Sequence, residues 1–178
     1  MQIFFSPTSP YVRKCLVTAY ELGLIDLIEF LPANAHPINR DANIVATNPL
    51  GKVPTFVTDD GAALYDSRVI CEYLNALGHG NLLAAQGPER WEALTLQSLG
   101  DGILDAALLA RYENHVRPEA LRWPEWVQGK LDAIRTSLHY LDQHPEVFEA
   151  DFHLGLLTIG CALWYLDLRY PELAWREA

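Results

Sequence analysis

Ile3-Phe4-Phe5-Ser6-Pro7-Thr8-Ser9-Pro10-Tyr11-Val12-Arg13-Lys14-Cys15 is the stretch from which the fold can be read. Three apolar residues with strand preference, Ile3 to Phe5, run into a short polar turn containing proline. Apolar residues then recur at Val12, Leu16, Ala19, Tyr20 and Leu22, a spacing of about 3.6 residues that predicts a helix from Pro10 to about Leu22. Gly23 stands where such a helix ends. Ser9-Pro10 matches the preference for serine at the N-cap and proline at the first helical position. The Ser9 hydroxyl is therefore expected among unpaired backbone N–H groups at the positive end of the helix dipole. Two readings of Ser9 stay open from this stretch: a plain helix cap, and a cap that also stabilises an anion such as a thiolate.

Working outward, Leu27 to Leu31 reads as a second strand, and a β-α-β unit of this length implies a right-handed crossover with parallel pairing. Pro32 to Pro37 is loop and Ile38 to Ala46 a short helix. Asn48-Pro49-Leu50-Gly51-Lys52 is a turn by composition. Val53 to Thr58 and Ala62 to Tyr65 form two strands around Asp59-Asp60-Gly61, a hairpin signal. Asp66 or Ser67 caps a helix with the stripe Val69, Ile70, Tyr73, Leu74 and Leu77, closed by Gly78. Beyond Gly80 the strand signals stop. Pro88 opens a long helical pattern through Trp91, Leu94, Leu96, Leu99, Ile103, Leu104, Leu108 and Tyr112. Gly102 inside it, at a cost of about 1 kcal/mol relative to alanine, predicts a close approach at that point. Further helices are predicted from Trp123-Pro124 to Leu141 and from about Thr158 to Arg169. The expected architecture is an α/β domain over residues 1–80, in the order β-α-β-α-β-β-α, followed by an all-α domain over residues 87–178.

Composition narrows the function classes. Thirteen basic against twenty-three acidic residues leave a net charge of −10, which speaks against nucleic acid and anionic membranes as partners. Cys15, Cys71 and Cys161 are odd in number and widely spaced, which suits a reducing compartment and supports neither a disulfide framework nor a zinc site. The six histidines lack H-x-x-x-H spacing, so no metal is expected. The N-terminus lacks the basic and apolar regions of a signal peptide. The apolar run Leu154 to Leu166 is interrupted by glycine and threonine and is too short to span a bilayer. The expectation is a soluble cytoplasmic protein.

Three elements in order, Ser6-Pro7-Thr8-Ser9-Pro10-Tyr11, Asn48-Pro49-x-Gly51-Lys52-Val53-Pro54 and Leu64-Tyr65-Asp66-Ser67, resemble the cytosolic glutathione transferase superfamily, in its bacterial serine type. The resemblance covers nearly the whole chain and implies a thioredoxin-like N-terminal domain, a helical C-terminal domain and a homodimer. It implies that Ser9 (alternatively Ser6) donates a hydrogen bond to the thiolate of bound glutathione. Val53, before a cis Pro54, would offer its backbone to the cysteinyl part, Lys52 would pair with the glycyl carboxylate, and Asp66 and Ser67 would hold the γ-glutamyl end. Asp101 resembles an acid that some dimeric members point across the subunit interface. A pocket for a small hydrophobic electrophile is expected from Leu108, Arg111, Tyr112 and Trp164, named by their position along the helices. Glutathione is then a co-substrate, no metal or organic cofactor is needed, and detoxification is the implied role.

Ser9-Pro10-Tyr11-Val12 stands where glutaredoxin-like members carry Cys-Pro-Tyr-Cys. Disulfide exchange needs an attacking thiolate, so a glutathione-dependent reductase is disfavoured. A non-enzymatic binding protein built on the same fold is the other alternative. The sequence also departs from the family's pattern. Thr158-Ile159-Gly160-Cys161 keeps the threonine of a capping box but has cysteine in place of aspartate, an expected cost of about 1 kcal/mol. Members normally continue past the position of Ala178 with more helical sequence, so a truncated end is expected.

Overall fold

The computed structural model describes residues 1–177; the expected continuation past Ala178 lies outside them. The chain divides into two compact units, Met1–Arg90 and Trp91–Ala178.

In the first unit, β1 (Gln2–Phe5) leads through the Ser6–Ser9 turn into α1 (Pro10–Glu21), and β2 (Glu29–Pro32) follows. The second strand begins two residues later than expected, because Ile25–Leu27 forms a 3-10 turn. A short α2 (Ala42–Thr47), capped by the Asp41 carboxylate, precedes β3 (Phe56–Val57), β4 (Ala63–Leu64) and α3 (Ser67–Leu77). The sheet order is β2-β1-β3-β4, with β1–β2 parallel and the other two pairs antiparallel. The β3–β4 hairpin is shorter than expected, and Gly61 takes φ +86° at its tip. Adjacent strand residues face opposite sides of a sheet. Ile3 and Phe4 of the central strand are nonetheless both buried, so the sheet is covered on both faces. Val12, Cys15 and Ala19 of α1 meet Ile70, Cys71 and Leu74 of α3 in this core.

The second unit is helical: α4 (Pro88–His115), α5 (Pro124–Gln143) and α6 (Leu154–Arg169). By length and composition α4 is apolar enough to cross a bilayer, which the sequence reading, resting on Leu154 to Leu166, missed. Its most apolar window is 56% buried inside the fold, as a core helix requires. Glu113 holds the α4–α5 connection by accepting from Arg117 Nε (2.7 Å) and from the Trp123 backbone N–H (2.9 Å). The Tyr170 hydroxyl donates to the Ala107 carbonyl at 2.7 Å, tying the end of α6 to α4.

Two details correct the sequence reading. The close approach on α4 lies at Gly100, where a Cβ would sit 2.8 Å from Thr158 Cγ2, and at the facing Gly155, where it would sit 2.7 Å from the Ala93 carbonyl oxygen. Gly102 faces open space. The half capping box read at Thr158, with Cys161 in place of the acid, is not a helix start, because α6 begins four residues earlier. His153 Nδ1 caps it, accepting from Gly155 N (3.0 Å) and Leu156 N (3.4 Å), and the Thr158 hydroxyl donates to the Leu154 carbonyl inside the helix.

Unfolding titrations separate the glycines. Gly100→Ala is expected to destabilise by about 1–3 kcal/mol through overpacking, whereas Gly102→Ala stabilises by up to about 1 kcal/mol. The His153 cap carries a pH signature. Burial, opposed by the nearby Glu92, pushes its imidazole below its ordinary value, so the unfolded chain binds the proton more readily than the fold does. The stability due to neutral His153 is then complete above about pH 6.5 and is lost as pH falls through the folded value. Stability measured from pH 7 down to pH 5 should fall more steeply in the wild type than in His153→Asn, which keeps a capping oxygen.

Candidate functional site

Ser9 is the N-cap of α1, its hydroxyl oxygen accepting from Val12 N at 3.3 Å while its backbone N–H donates to the Ser6 carbonyl at 3.1 Å. Both serines are half-buried. Ser6 thus closes the turn with its main chain, and Ser9 sits at the dipole's positive end. The Ser9 oxygen has lone pairs for the cap, and its proton remains available to an acceptor.

The sheet register brings the second element to this turn. β1 and β3 pair Gln2 with Val57 and Ile3 with Phe56, and the Phe4 N–H donates to the Thr55 carbonyl at 2.8 Å. Continuing the same register sets Phe5 against Pro54 and Ser6 against Val53. The Val53–Pro54 bond is cis. Val53 is half-buried, Pro54 is buried and Lys52 is exposed, with no described carboxylate within ion-pair distance of its ammonium.

What holds this loop escaped the sequence reading, which treated Asn48 to Lys52 as a turn by composition alone. Asn48 is buried, and its Nδ2 donates to Thr55 Oγ1 (2.9 Å) and to the Lys52 carbonyl (3.4 Å), while its Oδ1 accepts from Leu50 N (3.0 Å). Thr55 Oγ1 donates in turn to the Lys52 carbonyl at 2.8 Å. Gly51 at φ +63° completes the turn, and a Cβ there would lie 2.9 Å from the Arg40 guanidinium, which donates to the Pro49 carbonyl. An Asn-Pro pair before a glycine was the available signal, but only the fold shows that the amide points inward.

The third element joins through β4. Its pairing of Phe56 with Leu64 continues to Thr55 beside Tyr65 and Pro54 beside Asp66. The Asp66 carboxylate caps α3, accepting from Arg68 N at 3.0 Å, and the Tyr65–Asp66 peptide bond is cis. Ser67 is only 2% exposed. Its carbonyl lies 3.9 Å from Cys15 Sγ, itself 3.9 Å from Cys71 Sγ, which accepts from the Thr18 hydroxyl at 3.3 Å. These buried contacts fix the start of α3 on α1. The turn of Ser6 and Ser9, the Val53–Pro54 loop and the Asp66–Ser67 helix start therefore share one end of the sheet.

In the helical unit, Leu108, Arg111 and Tyr112 of α4 and Trp164 of α6 are all half-buried. Arg111 and Tyr112 come together with Tyr165, Arg169 and Tyr170, a grouping the sequence reading did not assemble. Tyr165 and Arg169 are one turn apart on α6, the signal that was available. Burial raises the phenols of Tyr112 and Tyr165, and pushes Tyr170 up to about 12; Arg111 opposes the rise at each. All three are neutral at physiological pH. Asp101 is 2% exposed in the single chain, so in this conformation its carboxylate offers almost no surface to a second subunit. Among the described residues no group of three or more metal-ligating side chains is assembled.

Residues 8–77 match the family described as glutathione S-transferase, N-terminal domain. The chain is 32% identical to the uncharacterized GST-like protein YibF of Escherichia coli K12, across 98% of this chain and 86% of that protein. It superposes with a TM-score of 0.95 on a crystal structure of a glutathione transferase family member from Pseudomonas fluorescens Pf-5 with bound glutathione, at 40% identity over 98% of this chain and 86% of the other. A second Pseudomonas fluorescens Pf-5 structure, with bound S-(propanoic acid)-glutathione, superposes with a TM-score of 0.90 at 38% identity, over 99% and 87%.

Proposed function

The chain belongs to the glutathione S-transferase family, and on that premise we propose that it is a serine-type glutathione transferase adding the glutathione thiolate to a small electrophile. The observation that carries the reading is the half-buried Ser9 hydroxyl at the N-terminus of α1, at the same sheet end as the cis Val53–Pro54 loop and the start of α3. A free thiol has a pKa near ~8.5 and is mostly protonated at neutral pH. A charge-assisted hydrogen bond contributes about 1.5–3 kcal/mol and a helix N-terminus about 0.3–1 kcal/mol. Together they lower a thiol pKa by roughly 1.3–3 units, to about 5.5–7.2, which makes the thiolate a large fraction of bound glutathione near pH 7.

The remaining groups take the rest of the tripeptide. The Val53 main chain pairs with the cysteinyl residue in the manner of an added strand. Lys52, exposed and without an acid partner among the described residues, takes the glycyl carboxylate. Asp66 takes the γ-glutamyl ammonium, and the α3 N-terminus at Ser67 takes its carboxylate. Catalysis is thiolate stabilisation with proximity. The three thiols are buried, which weighs against a reductase. Bound glutathione in the Pseudomonas fluorescens relative supports glutathione as the co-substrate. The carboxylate-bearing sulfur substituent of the second ligand supports an acceptor of comparable size. A cytoplasmic homodimer with a detoxifying role is part of the proposal; the reduced thiols favour that compartment.

Retention on immobilised glutathione, with elution by millimolar glutathione, is the first test, and absence of binding would sink the transferase reading. Ser9→Ala should lower kcat/KM with a test electrophile about 10- to 100-fold, the equivalent of one charge-assisted hydrogen bond. Ser9→Gly should lose as much while holding the cap to within a few tenths of a kcal/mol, and Ser6→Ala much less. Equal or reversed losses reject Ser9 as the thiolate donor.

A further inference from the structure

The chain carries ten more acidic than basic residues, yet two half-buried guanidiniums of the helical unit have no ion-pair partner among the described residues. Arg111 on α4 and Arg169 on α6 are half-buried, and no described carboxylate lies within ion-pair distance of either. The Nε of Arg169 is fully buried without a hydrogen-bond partner among the described residues. Other arginines of this unit are engaged: Arg117 with Glu113, Arg135 with Asp132, and Arg176 with Asp167. A guanidinium removed from water without a counter-charge is costly, and a buried donor left unmade adds to that cost. Such a vacancy in the charge pattern calls for an anion.

The two arginines belong to one cluster. The Tyr170 hydroxyl to Ala107 carbonyl bond pins the end of α6 one turn from Arg111. Arg169 sits beside the Tyr165 phenol, and Arg111 acts on the phenols of Tyr112, Tyr165 and Tyr170. The neutral phenols carry no charge to offset the guanidiniums, and the Glu172 carboxylate, which acts on the Tyr170 phenol, forms no described ion pair with either arginine.

We propose that Arg111 and Arg169, with the Tyr165 hydroxyl, form a carboxylate-binding site within the helical unit, suited to a small aliphatic carboxylate. The planar fork of a guanidinium matches a carboxylate, and charge-assisted bonds of this kind are the strong ones.

Two measurements test it. Without glutathione, propanoate should shift the Nε–H resonances of Arg111 and Arg169 in the full chain, and the uncharged isostere propanamide should not. In direct titration, propanoate should bind about 10-fold or more tightly than propanamide. Arg111→Gln and Arg169→Gln should each erase that preference while leaving the affinity for glutathione itself unchanged, which also reports that the variants are folded. Equal responses to propanoate and propanamide, or a preference surviving both substitutions, would overturn the site. Failure of glutathione itself to bind would instead overturn the transferase reading, and the propanoate titration alone would then decide the carboxylate site.

Discussion

The antiparallel register of β1 against β3, carried one step past the strand by the bond from Phe4 N to Thr55 O, is the constraint on which the candidate site depends. Continued past Thr55, the same register runs the Val53–Pro54 loop toward the turn that starts α1. A slip of one residue would reverse every side chain on β3 and remove Phe56 from the core. Phe56 is completely buried, so core packing and site geometry are fixed by the same pairing. The Asn48 and Thr55 hydrogen bonds then determine how the chain enters that strand, and the Cys15, Cys71 and Thr18 contacts determine how α3 leaves it.

The fold was legible because its signals were local and agreed with one another. Ser9-Pro10 marked a helix start, Asp59-Asp60-Gly61 a hairpin and Asp66-Ser67 a second cap, and the periodicity changed once, after Gly80. Cap and period pointed to the same boundaries, as expected of a minimally frustrated sequence. The short β3 and β4 fell inside longer apolar runs, since β-propensity does not show where pairing stops.

The misses share a different cause. Gly102 looked like a contact glycine because sequence shows an interior glycine but not the direction it faces; Gly100 and Gly155 carry the contact. Thr158 looked like a cap because its hydroxyl suits one, while His153, an unusual capping residue, does so with a ring nitrogen. Asn48 hid inside a turn signature, and its burial depends on β3. Arg111 was singled out by position along α4, but its companions on α6 are more than fifty residues away in sequence, and nothing local announces that two guanidiniums will act on the same phenol.

The central claim is that a serine hydroxyl and a helix N-terminus together hold glutathione as its thiolate. The most direct measurement is a pH titration of the ultraviolet absorbance of the thiolate for glutathione bound to the wild type and to Ser9→Gly. The account predicts a bound pKa about 1.3–3 units below that of free thiol in the wild type, with most of the shift lost in the variant. A bound thiol titrating as in free solution, or a shift that survives loss of the Ser9 hydroxyl, would contradict it.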